Sequence, residues 1–272
     1  MLDFLNRIPI IILGLPMVLL SLSVHEASHA YAAYKLGDPT AKNLGRLTIN
    51  PIKHINPFGF ICMILFHIGW ANPVPINPRN FKDSKKGMAI SAAAGPLSNL
   101  CLAIISIILL KIVLIPMESI AFEAMSTSNN PMALLPAYNG YIKDNTAYYW
   151  LNPLISEKTS FVILSVIAAM LTISISLNFN LMFFNLIPLP PLDGSRIAFI
   201  FLSTDTYFKI MKYEFFIQMA FIFLLAMNMI SLPLGFLTNG ITNIFYNLFG
   251  ISEELVIAST YDLFSRLPQF TF

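Results

Sequence analysis

Charge is what this sequence has least of. Only 11% of its 272 residues are charged while 56% are hydrophobic, and a globular chain carries about a quarter charged residues. An ordinary soluble domain is therefore excluded. The formal net charge of +2 is too small to suggest nucleic-acid binding. The basic residues cluster between apolar runs, as in a polytopic membrane protein. Cysteine is nearly absent as well: Cys62 and Cys101 sit in apolar surroundings, with no spacing for a disulfide framework or a thiolate metal site. Both read as small buried hydrophobes, and the redox compartment stays open. No internal repeat is visible, which counts against the commonest transporter architectures.

What is there in quantity is apolar run. Residues Ile8 to Val24, with Ala30 to Tyr34 following, are long enough to cross a bilayer core of about 30 Å. Set into that run are His25, Glu26 and His29, and ionisable groups at membrane depth are costly unless they have a function. Positions four apart on a helix share a face, so both imidazoles can reach one metal ion with Glu26 beside it. This is the His-Glu-x-x-His pattern, in which two histidines bind zinc and the glutamate serves as general base for a zinc-bound water. The competing reading is a chance match, with His25 and His29 as interhelical polar contacts and Glu26 in a buried ion pair. Ser21 and Ser23 loosely fit a signal-cleavage rule. Asp3 against a lone Arg7 and the histidines' need for their helix favour a retained signal anchor.

Taken in order, a first helix is expected from Pro9 to Leu36, stopped by Gly37-Asp38-Pro39. Residues Gly37 to Gly87 are rich in proline, asparagine and glycine and read as turns and extended pieces. Within them Phe58 to Trp70 is apolar but too short to span, so a strand pair or a re-entrant piece is expected, with a plain connector as the bland alternative. An extended edge there would suit substrate binding by strand addition. A second span is expected from Met88 to Ile115, its small first turns packing closely against the histidine helix. Asn99 lies within it and reads first as an interhelical packing amide. Met117 to Thr159 is a connection whose Tyr138, Tyr141, Tyr148, Tyr149 and Trp150 suit an interface belt. A third span, Ser160 to Ile187, ends in Pro188, Pro190 and Pro191, with Asp193-Gly194 as a sharp turn. Asp193 is either an ordinary turn residue at the water boundary or a paired functional carboxylate. Phe215 to Phe236 and Ile241 to Phe249 add a helix or helical hairpin.

Loop charge gives an independent check. Lys35, Lys42, Arg46, Lys53, Arg79, Lys82, Lys85 and Lys86 fall in the first long loop, against Lys143 and Lys158 in the next, so the first is expected to be cytoplasmic. Threading three spans through that assignment brings His25, His29 and Asp193 to similar depth. At 1.5 Å rise per residue His25 lies roughly 15 Å below Lys35. Two imidazoles and one carboxylate leave a fourth tetrahedral position for water, the arrangement of a catalytic zinc.

These residues resemble the site-2 protease family of intramembrane zinc metalloproteases, in its compact prokaryotic form. The motifs that carry the resemblance are His25-Glu26-Ala27-Ser28-His29, Leu36 to Lys42, Gly45 to Pro51, Gly69 to Pro75, Ala94-Gly95-Pro96 with Asn99, and Asn185 through Gly194. The resemblance implies that His25, His29 and Asp193 ligate one zinc per chain, that Glu26 is the base, and that Asn185 helps hold the substrate carbonyl. It also implies cleavage of transmembrane segments of membrane-tethered proteins. One departure is Asn56, where many relatives carry an aspartate, which puts any charge-dependent role there in doubt. No stretch is long enough for a PDZ or CBS module, so substrate selection would rest on the core, the loops or a regulatory membrane partner.

The expectation is an all-α polytopic membrane protein, a bundle of about 4–6 transmembrane segments with a short membrane-associated β or re-entrant element. It would form a single domain over 1–272, with a core of about 8–200 and peripheral C-terminal helices over about 208–250. It would sit as a multi-pass protein of the cell membrane, its active site toward the cytoplasm. The rivals are a metal-ion transporter and a catalytically silent membrane-binding homologue.

Overall fold

The computed structural model describes residues 2–66, 71–126, 159–227, 229–251 and 256. Three long helices carry the architecture: α1 (Leu2–Lys35), α4 (Ser84–Ser126) and α5 (Thr159–Leu186), with the short helices α2 (Thr40–Asn43) and α3 (Pro57–Phe66) between the first two. Four more follow α5: α6 (Asp193–Ala198), α7 (Thr204–Met211), α8 (Glu214–Ala226) and α9 (Ser231–Leu248). Within the long helices Ile11–Lys35, Ser84–Met117 and Val162–Leu186 are long and apolar enough to cross a membrane, and α8 holds a shorter apolar stretch. The protein is thus a helical membrane protein with three such helices among the described residues.

Helix ends follow local chemistry. The chain leaves α1 through Gly37 at φ 107°, and the Asp38 N–H returns to the Ala33 carbonyl at 2.9 Å. That is a glycine C-terminal cap, a conformation side-chain-bearing residues disfavour. α4 begins under Asp83, whose Oδ1 accepts from the N–H groups of Lys85 and Lys86, satisfying donors the first turn leaves open. α5 stops at the proline series. Gly194 then lies so close to its end that a Cβ there would stand 2.3 Å from the Ile187 carbonyl oxygen. Without a side chain at 194 the chain turns back tightly, and that return carries Asp193 to the start of α6.

Of the two forms expected for the apolar stretch Phe58 to Trp70, a strand pair or a re-entrant piece, the described part is not a strand pair. Pro57 to Phe66 is helical, and among the described residues the β-type pairing is a single antiparallel bridge between Ile55 and Ala71. The physical reason is local: Asn56 Oδ1 accepts from Gly59 N–H at 2.9 Å and so caps the helix, while a ten-residue apolar run has no period that separates helix from strand. Asn56 also donates to Asn72 Oδ1 at 3.1 Å, so a neutral amide is put to use at this position. Trp70 and the aromatic cluster at 138–150 lie outside the described residues, and α4 runs beyond the expected Ile115.

By internal packing the chain forms two units, one of residues 1–17, 104–175 and 241–272, the other of 18–103 and 176–240. In the first, Ile107, Leu110, Leu114, Ala168 and Ala169 are fully buried, and Ser106 and Ser174 share a hydrogen bond of 2.9 Å. In the second, Ala30, Ala33, Ala89, Ala92 and Phe179 are buried beside a series of polar side chains.

Candidate metal centre

The second unit holds the site. His25 and His29 are buried on one face of α1, with rings 4.6 Å apart and nearly perpendicular. The α4 face beside them is made of small residues, and at Gly95 a Cβ would stand 2.5 Å from His29 Nε2 and 2.6 Å from His25 Cε1. Any side chain at 95 would displace the imidazoles.

Each ring is held from behind. His29 Nδ1 donates to the Ser91 main-chain carbonyl at 2.7 Å, and His25 Nδ1 donates to Asn99 Oδ1 at 2.6 Å. Both partners can only accept, so each neutral imidazole carries its proton on Nδ1 and presents a lone pair at Nε2. Those lone pairs converge: His25 Nε2 and His29 Nε2 are 3.0 Å apart, and Asp193 Oδ2 is 3.2 and 3.1 Å from them. Three electron-pair donors this close, with no proton of their own to share, repel one another unless a cation lies among them. Tetrahedral zinc at about 2.0–2.1 Å from nitrogen and oxygen ligands separates its ligand atoms by about 3.3–3.4 Å, close to the spacing found. The donor set therefore fits zinc, and hydrogen bonds on the far nitrogens are the usual support of metal-binding histidines.

A cavity of about 140 Å³ opens beside the cluster, lined by polar as well as apolar groups: Glu26, Asn185 and Arg196 with Pro73, Val74 and Ile76. It is large enough for a few waters, each needing about 30 Å³. Glu26 Oε2 accepts from the Val74 N–H at 2.9 Å, tying the carboxylate to the extended segment that passes over the site. That segment is anchored by Asp38. Its fully buried carboxylate accepts from Asn77 N–H at 2.7 Å, Asn80 Nδ2 at 2.6 Å, and the N–H and hydroxyl of Thr40. Burial alone would raise the Asp38 carboxyl, yet these donors lower it below its ordinary value. Asn185 faces the cavity with one amide hydrogen returned to the Leu181 carbonyl at 2.9 Å.

The structure thus brings together all five residues singled out from the sequence. Sequence reading missed Asn99 as a histidine partner, Val74 as the group holding Glu26, and Arg196 in the cavity wall. A backbone N–H leaves no mark in sequence, and Asn99 had been read as a packing amide. A glycine at 95 among small residues was the one signal pointing toward that face.

Known proteins resemble this chain over much of its length. Residues 13–227 match the model of peptidase family M50. The Bacillus subtilis protein named "putative zinc metalloprotease YwhC" is 36% identical over 193 residues, 71% of this chain and 69% of that one. The Mycolicibacterium smegmatis protein named "putative zinc metalloprotease Rip2" is 29% identical over 106 residues, 37% of this chain and 40% of that one. No solved structure matches the chain significantly.

Proposed function

The chain belongs to peptidase family M50 and is a zinc metalloprotease, and from that premise we propose that it cuts the transmembrane segments of membrane-tethered proteins. The observation that carries this reading is the convergence of His25 Nε2, His29 Nε2 and Asp193 Oδ2 beside a cavity large enough for a few waters, with both histidines on a helix long and apolar enough to cross a membrane. His25, His29 and Asp193 hold one zinc per chain. Bound there, zinc supplies a Lewis acid that acidifies water and polarises a peptide carbonyl.

Glu26 is the general base. Its Oε2 is fixed by Val74 N–H, so the other oxygen takes a proton from the attacking water and passes it to the leaving amine. Asn185 keeps one amide hydrogen for the developing oxyanion, its other being spent on Leu181. Pro73, Val74 and Ile76 wall the cavity and offer a surface against which an unwound substrate segment lies. The chain acts as one domain whose C-terminal helices α8 and α9 bring the spans to four or more, in the cell membrane with the site toward the cytoplasm. A regulatory membrane partner then selects substrates.

The test is co-expression with candidate single-span proteins, comparing wild type with Glu26→Gln. The variant is expected to keep its zinc and lose cleavage by about 10²–10⁴-fold, retaining uncut substrate on purification. Normal turnover by Glu26→Gln would refute the role of the base. Metal uptake into vesicles without cleavage would favour transport instead.

A further inference from the structure

The two histidines are not secured in the same way. His29 is fixed by a main-chain carbonyl, which has no nitrogen end to offer. His25 is fixed by a carboxamide, whose oxygen and nitrogen ends have nearly the same shape and can exchange by a half turn. With Oδ1 toward the ring, His25 keeps its proton on Nδ1 and offers Nε2 to a metal. With Nδ2 toward the ring, Nδ1 must accept, the proton moves to Nε2, and the lone pair the site needs is gone.

What sets the direction of that amide lies one helix further. Asn99 Nδ2 donates to Asn178 Oδ1 at 2.7 Å, and Asn178 Nδ2 donates to Ser21 Oγ at 2.9 Å. Asn99 and Asn178 are completely buried and Ser21 nearly so. Resting on the reading of His25 as a zinc ligand, we propose that Asn178 is a positioning residue. Its oxygen holds the Asn99 amide in the one orientation that leaves His25 able to bind metal. Asn178 presents that oxygen while its own nitrogen is taken up by Ser21, so the Ser21–Asn178–Asn99–His25 chain has a direction and must turn as a unit if it turns at all. Removing Asn178 strands the Asn99 N–H₂ in the binding orientation, where a buried unpaired donor is penalised.

The chemistry makes a sign-specific forecast. An aspartate at 178 keeps an oxygen for Asn99 in either protonation state, accepting from the Ser21 hydroxyl when ionised and donating to Ser21 Oγ when protonated, so it preserves the orientation. A leucine of similar size cannot. An aspartate at 99 offers His25 an oxygen whichever way it turns, so it should make position 178 irrelevant to the histidine.

The experiment measures zinc affinity of the full chain in detergent by competition with a chromophoric chelator, a readout independent of cleavage. Asn178→Leu is expected to weaken zinc binding about 10–100-fold, the usual range for losing a group behind a metal-bound histidine. Asn178→Asp should bind near wild type, and Asn178→Leu should have no effect when added to Asn99→Asp. Wild-type affinity in Asn178→Leu overturns the proposal, as does equal loss in the Asp and Leu variants, or failure of Asn99→Asp to abolish the effect. Should Asn178→Leu not accumulate, Asn178→Val is compared with Asn178→Asp on the same terms. His25→Ala separates the two readings. If it binds zinc as wild type does, the ligand assignment fails and the proposal with it. If it loses zinc while Asn178→Leu does not, the proposal alone fails.

Discussion

The same three long helices bury their side chains in two chemically different ways. Over 104–117 and 162–175 the buried residues are aliphatic or small, relieved by Ser106, Ser165 and Ser174. Over 18–35, 84–103 and 176–186 they include two imidazoles, two asparagines and three serines. Apolar packing gives little net gain over lipid contact, so helix association in a membrane rests on close fit and on modest hydrogen bonds. The first region meets that need with fit. The second gives up fit for groups that are costly to bury unless each finds a partner, and the Nδ1 atoms of both its histidines have one. Stability and chemistry thus occupy different lengths of the same helices, and substitutions in the two regions should separate them.

The largest effect is expected from Gly95→Ala. The added Cβ would overlap both imidazoles, and neither ring can move without losing Asn99 or Ser91. Chelator competition should show zinc weakened by at least about tenfold, with cleavage lost and helix content by circular dichroism unchanged. Full zinc affinity in this variant would mean that the two rings can shift together and that the small face of α4 serves packing alone.

This position also marks how much was readable beforehand. His25 and His29 were legible because a spacing of four on a helix is itself geometry. Asp193 was legible through the proline break, loop charge and the family motif, which together bring distant residues to one depth. The second span's small first turns announced a close approach. Partnerships that depend on rotamers and backbone amides were not legible. Asn99 toward His25, Asn178 behind it and Val74 N–H on Glu26 are fixed by where three helices and a loop meet, which no single stretch encodes. The apolar run at 57–66 left strand pair or re-entrant piece open for another reason: its composition admits helix or strand, and the cap supplied by Asn56 decided for helix.

A smaller effect, still within the polar region, comes from Asp38. Its carboxyl is lowered in the folded protein, below an unfolded value near 3.9. A depressed folded value means that the stabilisation is complete above the unfolded value and is lost as pH falls through the folded one. Thermal unfolding in detergent should therefore be insensitive to Asp38 from about pH 7 to 5 and should weaken below about pH 4. Asp38→Asn should remove about 1–3 kcal/mol at neutral pH and flatten the acid limb of the curve. Because Asp38 anchors the segment bearing Val74, cleavage should fall while zinc affinity holds. An unchanged acid limb would show that other carboxylates govern it.

The smallest effect is expected in the apolar region. Ser106 and Ser174 form a buried hydroxyl pair at 2.9 Å, in form like the hydrogen bonds of the metal site. If buried polar contacts mattered everywhere alike, Ser106→Ala would be as damaging as a change near the histidines. An interhelical hydrogen bond in a membrane averages only about 0.6 kcal/mol, and a serine that loses its partner can turn its hydroxyl back to its own helix, as Ser23 and Ser28 do toward Leu19 and Val24. Breaking this pair therefore costs little. Ser106→Ala should lower stability by about half a kcal/mol, leaving zinc affinity and cleavage rate at wild-type values. A fall in zinc affinity would break the division between the two regions, because it would mean that zinc binding depends on the apolar packing as well as on the polar chain behind His25.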